Sequence, residues 1–200
     1  MTEVTYKKNK NGTVDMQFYF EYAKLFDVEG AGSVDRGDPV STQAWLRALA
    51  KCPEAKLNAY FMTEADMEAL IADPDFKSEN LNPTNGQMVS VIKDGNPELG
   101  CGKYIQLKAK EHDIREIVDR KTKEIKEIDF GGFPPVKVAV KVEDDGVVSE
   151  WADYDYEDLG PIGNGSKGKV RFHPKYKRLT QVGVIELIEY TEGSSFSDDF

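Results

Sequence analysis

The chain has 200 residues, with 26 Lys and Arg against 36 Asp and Glu and a net charge of −10. That length predicts one compact domain, and 40% hydrophobic with 10% aromatic residues supplies a core and excludes wholesale disorder. No apolar run reaches membrane length and no charged-then-apolar leader opens the chain, so a soluble protein without a secretion signal is expected.

Residues 14–26 alternate, with Val14, Met16, Phe18, Phe20 and Tyr22 on one side, and predict a half-buried strand. Residues 28–100 read as an excursion carrying two short helices. Ser41 or Thr42 caps the first, which runs to about Cys52; Thr63, with Asp66 three positions on, opens the second through Ala72, with Met67, Leu70 and Ile71 buried. Residues 104–110 alternate with Ile105, Leu107 and Ala109 inward. Residues 112–128 are expected to form a hairpin with its tip at 119–123. Residues 136–142 alternate with four valines inward, and residues 167–172 place Val170 and Phe172 inward. Residues 182–190 are nearly all apolar and predict a closing strand buried on both faces. The expected fold is mainly β: a five-stranded antiparallel barrel of the oligonucleotide-binding (OB) type, with a two-helix insertion. It fills residues 1–190, and residues 191–200 form an acidic tail.

Charge is segregated along the chain. Eight acids and no base lie between Glu143 and Asp158, and the chain ends on Glu192, Asp198 and Asp199; six bases and no acid lie between Ser166 and Arg178. The seven charged positions on the outward faces of the alternating segments, Lys108, Lys110, Lys137, Lys141, Lys167, Lys169 and Arg171, are all basic. Outward strand positions are polar by default, so the sign is what points to a polyanion-tracking groove. Tyr104 shares a face with Lys108 and Lys110, Tyr176 sits among Lys175, Lys177 and Arg178, and Tyr19 points outward. Phe130 and Phe133 flank two glycines in a loop. Rings interleaved with cations suit single strands, whose bases stack on aromatic faces. Phe18, Phe20 and Phe172 belong to the core by parity.

Three other chemistries compete. The segment Gly160-Pro-Ile-Gly-Asn-Gly165-Ser-Lys167 approaches a phosphate loop, but its last two residues are in the wrong order and a strand follows where a helix is needed. Asp153, Asp155, Glu157 and Asp158 could share one strand face and hold magnesium in a nuclease; no Lys or His stands near to complete the site. The acidic segment could instead mimic nucleic acid in a protein-interaction module. Cys52 and Cys101 have no metal spacing and read as structural thiols in a reducing compartment, and only His112 and His173 are present. No metal, cofactor or catalytic residue is assigned.

The second half resembles a known family. Asp119-Arg-Lys-Thr-Lys-Glu-Ile-Lys126, Pro161-Ile-Gly-Asn-Gly-Ser-Lys-Gly-Lys-Val-Arg-Phe172, Pro174-Lys-Tyr-Lys177 and Gly183-Val-Ile-Glu-Leu-Ile188 occur in the order seen in single-stranded-DNA-binding proteins of short-tailed lytic phages of the T-seven group. The close, Ser197-Asp-Asp-Phe200, is similar as well. The resemblance covers roughly residues 101–200. It implies an OB barrel that coats single strands in phage DNA replication, recombination and annealing, in the cytoplasm of the bacterial host. Tyr176 with Lys175 or Lys177 matches the family's DNA-contacting stretch, although Lys175 separates Pro174 from the tyrosine. Asp198, Asp199 and Phe200 match a tail that binds replication partners (polymerase, helicase-primase) and competes for the DNA groove. The tail here is shorter and less acidic. A homodimer is left open, and no membrane partner is expected.

Overall fold

Alternation over residues 14–20 produces the first half of β2 (Val14–Lys24) in the computed structural model, which describes residues 3–35 and 53–191. Val14, Met16, Phe18 and Phe20 are fully buried, as the pattern requires. The parity fails at Tyr22. Its φ of 50° and a register shift between Glu21 and Lys24 make a bulge, so Tyr22 turns outward and Ala23 and Leu25 take the buried side. A short β1 (Lys7–Lys8) pairs with the start of β2.

The stretch expected to be a helical excursion contains a central strand. β3 (Glu54–Phe61) lies between β2 and β7 (Lys103–Lys110) and buries Ala55, Leu57, Ala59 and Phe61. Its two alanines are weak strand formers, and the two long neighbours override that propensity. The expected helix over residues 41–52, with Cys52, lies outside the described residues. The helix after Thr63 is present as α1 (Glu64–Ile71), where the Asp66 amide donates to the Thr63 hydroxyl at 3.2 Å. Leu70 is buried and Met67 half-buried, but Ile71 is exposed; Asp66 and Asp73 take buried positions instead. A small hairpin, β4 (Glu79–Leu81) with β5 (Met88–Ser90), and β6 (Lys93–Asp94) lead into β7.

The hairpin expected over residues 112–128 forms as β8 (Ile114–Val118) and β9 (Ile125–Asp129). Then come β10 (Val136–Val142), β11 (Val148–Asp153), α2 (Tyr156–Leu159), β12 (Lys167–His173) and β13 (Arg178–Glu186). The four valines of β10 do not all point into a core. Val136 and Val138 are half-buried against β13, while Val140 and Val142 are exposed. Pairing with β13 stops at Val138, and a bulge after Ala139 leaves the rest of β10 with β11 alone. The closing strand also differs: it starts at Arg178 and ends at Glu186, burying Val182 and Val184, and Ile188 and Tyr190 beyond it are exposed.

The main sheet runs β11-β10-β13-β12-β2-β3-β7-β6. Its path returns on itself, because β7 also meets β13 in parallel at Arg178 and Lys108, where the Lys108 amide donates to the Lys177 carbonyl at 3.1 Å. Inside that path the Phe18 ring packs 5.6 Å from Phe61 and 6.0 Å from Phe172. Each such ring contributes about 1.5–3 kcal/mol by leaving water. Gly168 makes the packing tight: a side chain there would strike the Gly183 carbonyl and the Phe20 ring.

Candidate nucleic-acid interface

The outer face of the β12–β13 hairpin organises the site. Val170 and Phe172 point inward, so Lys167, Lys169 and Arg171 are forced outward in one row, which ends at the four-residue turn carrying Tyr176. Tyr176 is half exposed. Three cations surround its ring: the Arg115 guanidinium at 4.8 Å, that of Arg178 at 5.3 Å and the Lys175 ammonium at 5.4 Å. Such contacts occur about once per 70–80 residues, so three on one exposed ring mark a local concentration of positive charge. Arg178 also lies 5.5 Å from the Phe130 ring.

Because β7 adjoins β13 here, Lys108 and Lys110 join Tyr176, Arg115, Arg178 and Phe130 around a cavity of about 240 Å³. Asp113 faces Arg115 at 3.2 Å and Arg178 at 3.8 Å. The hydrogen bond from Arg115 holds the Asp113 carboxyl below the ordinary carboxylate range, against a small opposing effect of burial. Glu54 also lines the cavity, so four cations face two carboxylates there and the pocket stays positive. Lys108 and Lys110 are exposed and have no ion pair among the described residues, although Lys110 lies near enough to Asp113 to help lower its pKa.

A second cluster sits further along the same hairpin. Trp151 on β11 is registered with Ala139 on β10, and its indole reaches across to Gly183 on β13, where a Cβ would approach the ring to 2.6 Å. Two small residues on adjacent strands thus make a shelf for a flat ring. Lys137, Lys169, Arg171 and Gln181 border it, around a cavity of about 190 Å³. Lys137 is paired with Asp153 and Arg171 with Asp15, which leaves Lys169 as the exposed cation without an ion pair among the described residues.

Of the residues expected from the sequence, Lys108, Lys110, Lys175 and Tyr176 converge on one end of this face, and Lys137, Lys169 and Arg171 on the other. Lys167 lies beside the second cluster, 3.9 Å from Glu186. Three residues stand apart. Tyr104 packs on Tyr60 with ring centroids 4.9 Å apart. Lys141 follows the β10 bulge and pairs with Glu143 at 3.5 Å. Lys177 turns its ammonium over Phe76 at 5.4 Å, and burial together with Lys77 pushes its pKa down. Phe130 joins the Tyr176 end, whereas Phe133 packs against the core. Asp198, Asp199 and Phe200 lie outside the described residues.

The acids proposed for magnesium do not share a strand face. β11 ends at Asp153, which pairs with Lys137, and Asp155 caps α2 by accepting from the Glu157 amide at 3.1 Å. Within the same acidic stretch, Asp145 and Gly146 at the β10–β11 turn border a cleft with Tyr19, Lys167 and Lys169. Sequence reasoning missed Arg115 and Trp151 as site residues. Arg115 has no base beside it in sequence, and Trp151 is a lone indole within an acidic run, so neither carries the local pattern of a cation next to a ring.

No family model matches the sequence, and no curated protein matches it. Solved structures do align with it along nearly its full length. The single-stranded DNA-binding protein from bacteriophage Enc34 aligns at 14% identity and TM-score 0.47, covering 100% of this chain and 95% of that one. The Enc34 protein in complex with ssDNA aligns at 13% identity and TM-score 0.41, covering 98% and 96%. The single-stranded DNA-binding protein gp2.5 encoded by bacteriophage T7 aligns at 15% identity and TM-score 0.30, covering 92% and 98%. The solved structures to which the chain is similar are phage single-stranded DNA-binding proteins.

Proposed function

We propose that the protein binds single-stranded DNA without reading its sequence, on the outer face of a five-stranded OB-type barrel. The barrel reading rests on the pairings: β2 joins β3 and β12, β3 joins β7, β12 joins β13, and β13 meets β7 in parallel. In an OB barrel the second and third strands and the loops after the first and fourth strands hold oligonucleotides. Among the described residues those are β3, β7 and the turn bearing Tyr176.

The observation that carries the function is the half-exposed Tyr176 ring among Arg115, Lys175 and Arg178, beside the exposed Lys108 and Lys110. Rings stack on unpaired bases of any identity while the cations track phosphates. Lys169, with the Trp151 shelf next to it, offers a second contact of the same kind. On this reading residues 1–190 form the binding unit. The tail over residues 191–200, with Asp198, Asp199 and Phe200, competes for the groove and contacts replication proteins in the host cytoplasm. The task served is coating and annealing of single strands in phage DNA replication and recombination.

Titrating labelled oligothymidylate and a matched duplex at several salt concentrations tests this. If about five phosphates are neutralised, log affinity for the single strand falls against log salt with a slope near −3.5. A flat slope, or a preference for duplex, refutes the reading. Removing residues 193–200 should tighten binding; unchanged or weaker affinity removes the competing tail.

A further inference from the structure

We propose that the β8–β9 hairpin is a fixed arm that carries the single strand onward from Tyr176, along its Arg115–Lys126 face to its basic tip. This rests on the single-strand reading above. The register sorts the hairpin's charges by sign. Arg115 pairs with Ile128 and Ile117 with Lys126, so one face holds Arg, Ile, Lys and Ile; the other holds Glu116 opposite Glu127, with Asp129 opposite Ile114. Arg115 itself touches the Tyr176 ring, so the cationic face is continuous with the site.

The arm is held in place at its base. The Asp129 carboxylate accepts from the Asp113 and Gly131 amides at 2.8 Å each and meets His112 Nδ1 at 2.8 Å, and the Gly132 amide donates to the Lys110 carbonyl at 2.8 Å. Its tip carries Arg120, Lys121 and Lys123 against Asp119 and Glu124, a net positive turn in which Asp119 accepts from the Lys121 and Thr122 amides. Lys123 is a second pointer. It stands at φ 59°, a left-handed conformation that glycine adopts at no cost and other residues adopt under strain. Lys123 thus adds a third cation to the tip at a backbone position where glycine would be unstrained. Five paired residues span about 17 Å, room for about five nucleotides at a stacked spacing of 3.4 Å.

Lys123→Gly separates the roles. It relieves the backbone, so thermal stability should hold or rise. One phosphate fewer is then neutralised. Affinity for an oligothymidylate of about twenty nucleotides should fall about fivefold at 0.1 M salt, referred to 1 M, with the slope shallower by about 0.7. Affinity for one of about five nucleotides, short enough to lie on the Tyr176 cluster and its neighbouring cations without the arm, should not change. Lys126→Gln should act alike and Glu127→Gln should leave the long strand within twofold. Unchanged long-strand affinity in both lysine variants overturns the arm, as does an equal loss on short and long strands. A gain with Glu127→Gln as large as the Lys126→Gln loss reduces the effect to overall charge and also overturns it. If the unaltered protein binds neither strand, the single-strand reading itself fails; if it binds and only the length dependence is absent, the arm alone does.

Discussion

Arg171 grips Asp15 with two parallel hydrogen bonds, Nε to Oδ1 at 2.7 Å and Nη2 to Oδ2 at 3.0 Å, across the β12–β2 pairing. Asp15 is buried and also accepts from Asn9 at 3.0 Å. A residue expected to hold phosphate is therefore committed first to a buried carboxylate. Arg171→Ala should destabilise the fold by about 2–3 kcal/mol in urea unfolding. That lies below the ~3–5 of a fully buried pair, because the Arg171 side chain is 43% exposed.

The same pair sets an acid limit. Burial alone would raise the Asp15 pKa, but the hydrogen bonds from Arg171 and Asn9 outweigh it and hold the group below its ordinary 3.8. Asp73 behaves alike, with Tyr6, the Asp75 amide and Lys8 outweighing burial. For a depressed carboxylate the stabilisation is complete above the unfolded value and is lost as pH falls through the folded one. Unfolding free energy should be level down to about pH 4 and decline below it. In Arg171→Ala the decline should be shallower; an identical acid profile would assign it elsewhere.

Tyr176→Ala should weaken single-strand binding by about 1–3 kcal/mol, the value of one base–ring stack. The ring is half exposed and outside the core, so the melting temperature should move little. Anisotropy and calorimetry on the same preparation check both halves.

Trp151 is a built-in reporter. With Trp45 changed to Phe, indole emission should be quenched as oligothymidylate fills the shelf. Gly183→Ala should displace the indole, since the added Cβ would come within 2.6 Å of it. Emission of the free protein should then shift, and the quenching should shrink. Full quenching in Gly183→Ala would place the bases elsewhere.

The base of the β8–β9 hairpin should loosen on the alkaline side. The hydrogen bond to Asp129 raises the His112 pKa above 6.5, and that of Asp129 drops to about 2 with His112 as its leading cause. A raised imidazole stabilises below its unfolded value, and the contribution is lost as pH climbs through the folded one. Hydrogen exchange at the Asp113 and Gly131 amides, corrected for intrinsic rate, should show less protection from about pH 6.5 upward. His112→Gln should flatten that dependence.

What the sequence revealed followed from periodicity. Strict alternation located β7, β12 and the first half of β2, and the Thr63 and Asp66 spacing located α1, because local sterics and capping decide those elements. Bulges defeated the rule at Tyr22 and after Ala139, where one inserted residue flips every later side chain. β3 escaped notice because Ala55 and Ala59 carry little strand preference, and its place is won by neighbours distant in sequence. The Tyr176 end was readable as a run of bases around a ring. The Trp151 shelf was not, since it joins Ala139, Trp151 and Gly183 from three separate strands.

Strands β7 and β13 meet through a single registered residue couple, Arg178 with Lys108, whereas the β12–β13 and β3–β7 ladders are longer. Whatever clasps Lys108 and Lys110 on one bank and Arg178 on the other sutures that seam. Cargo and sheet would then brace each other, and resistance to unfolding should climb with the amount of oligonucleotide loaded, most visibly in the amides of those two strands.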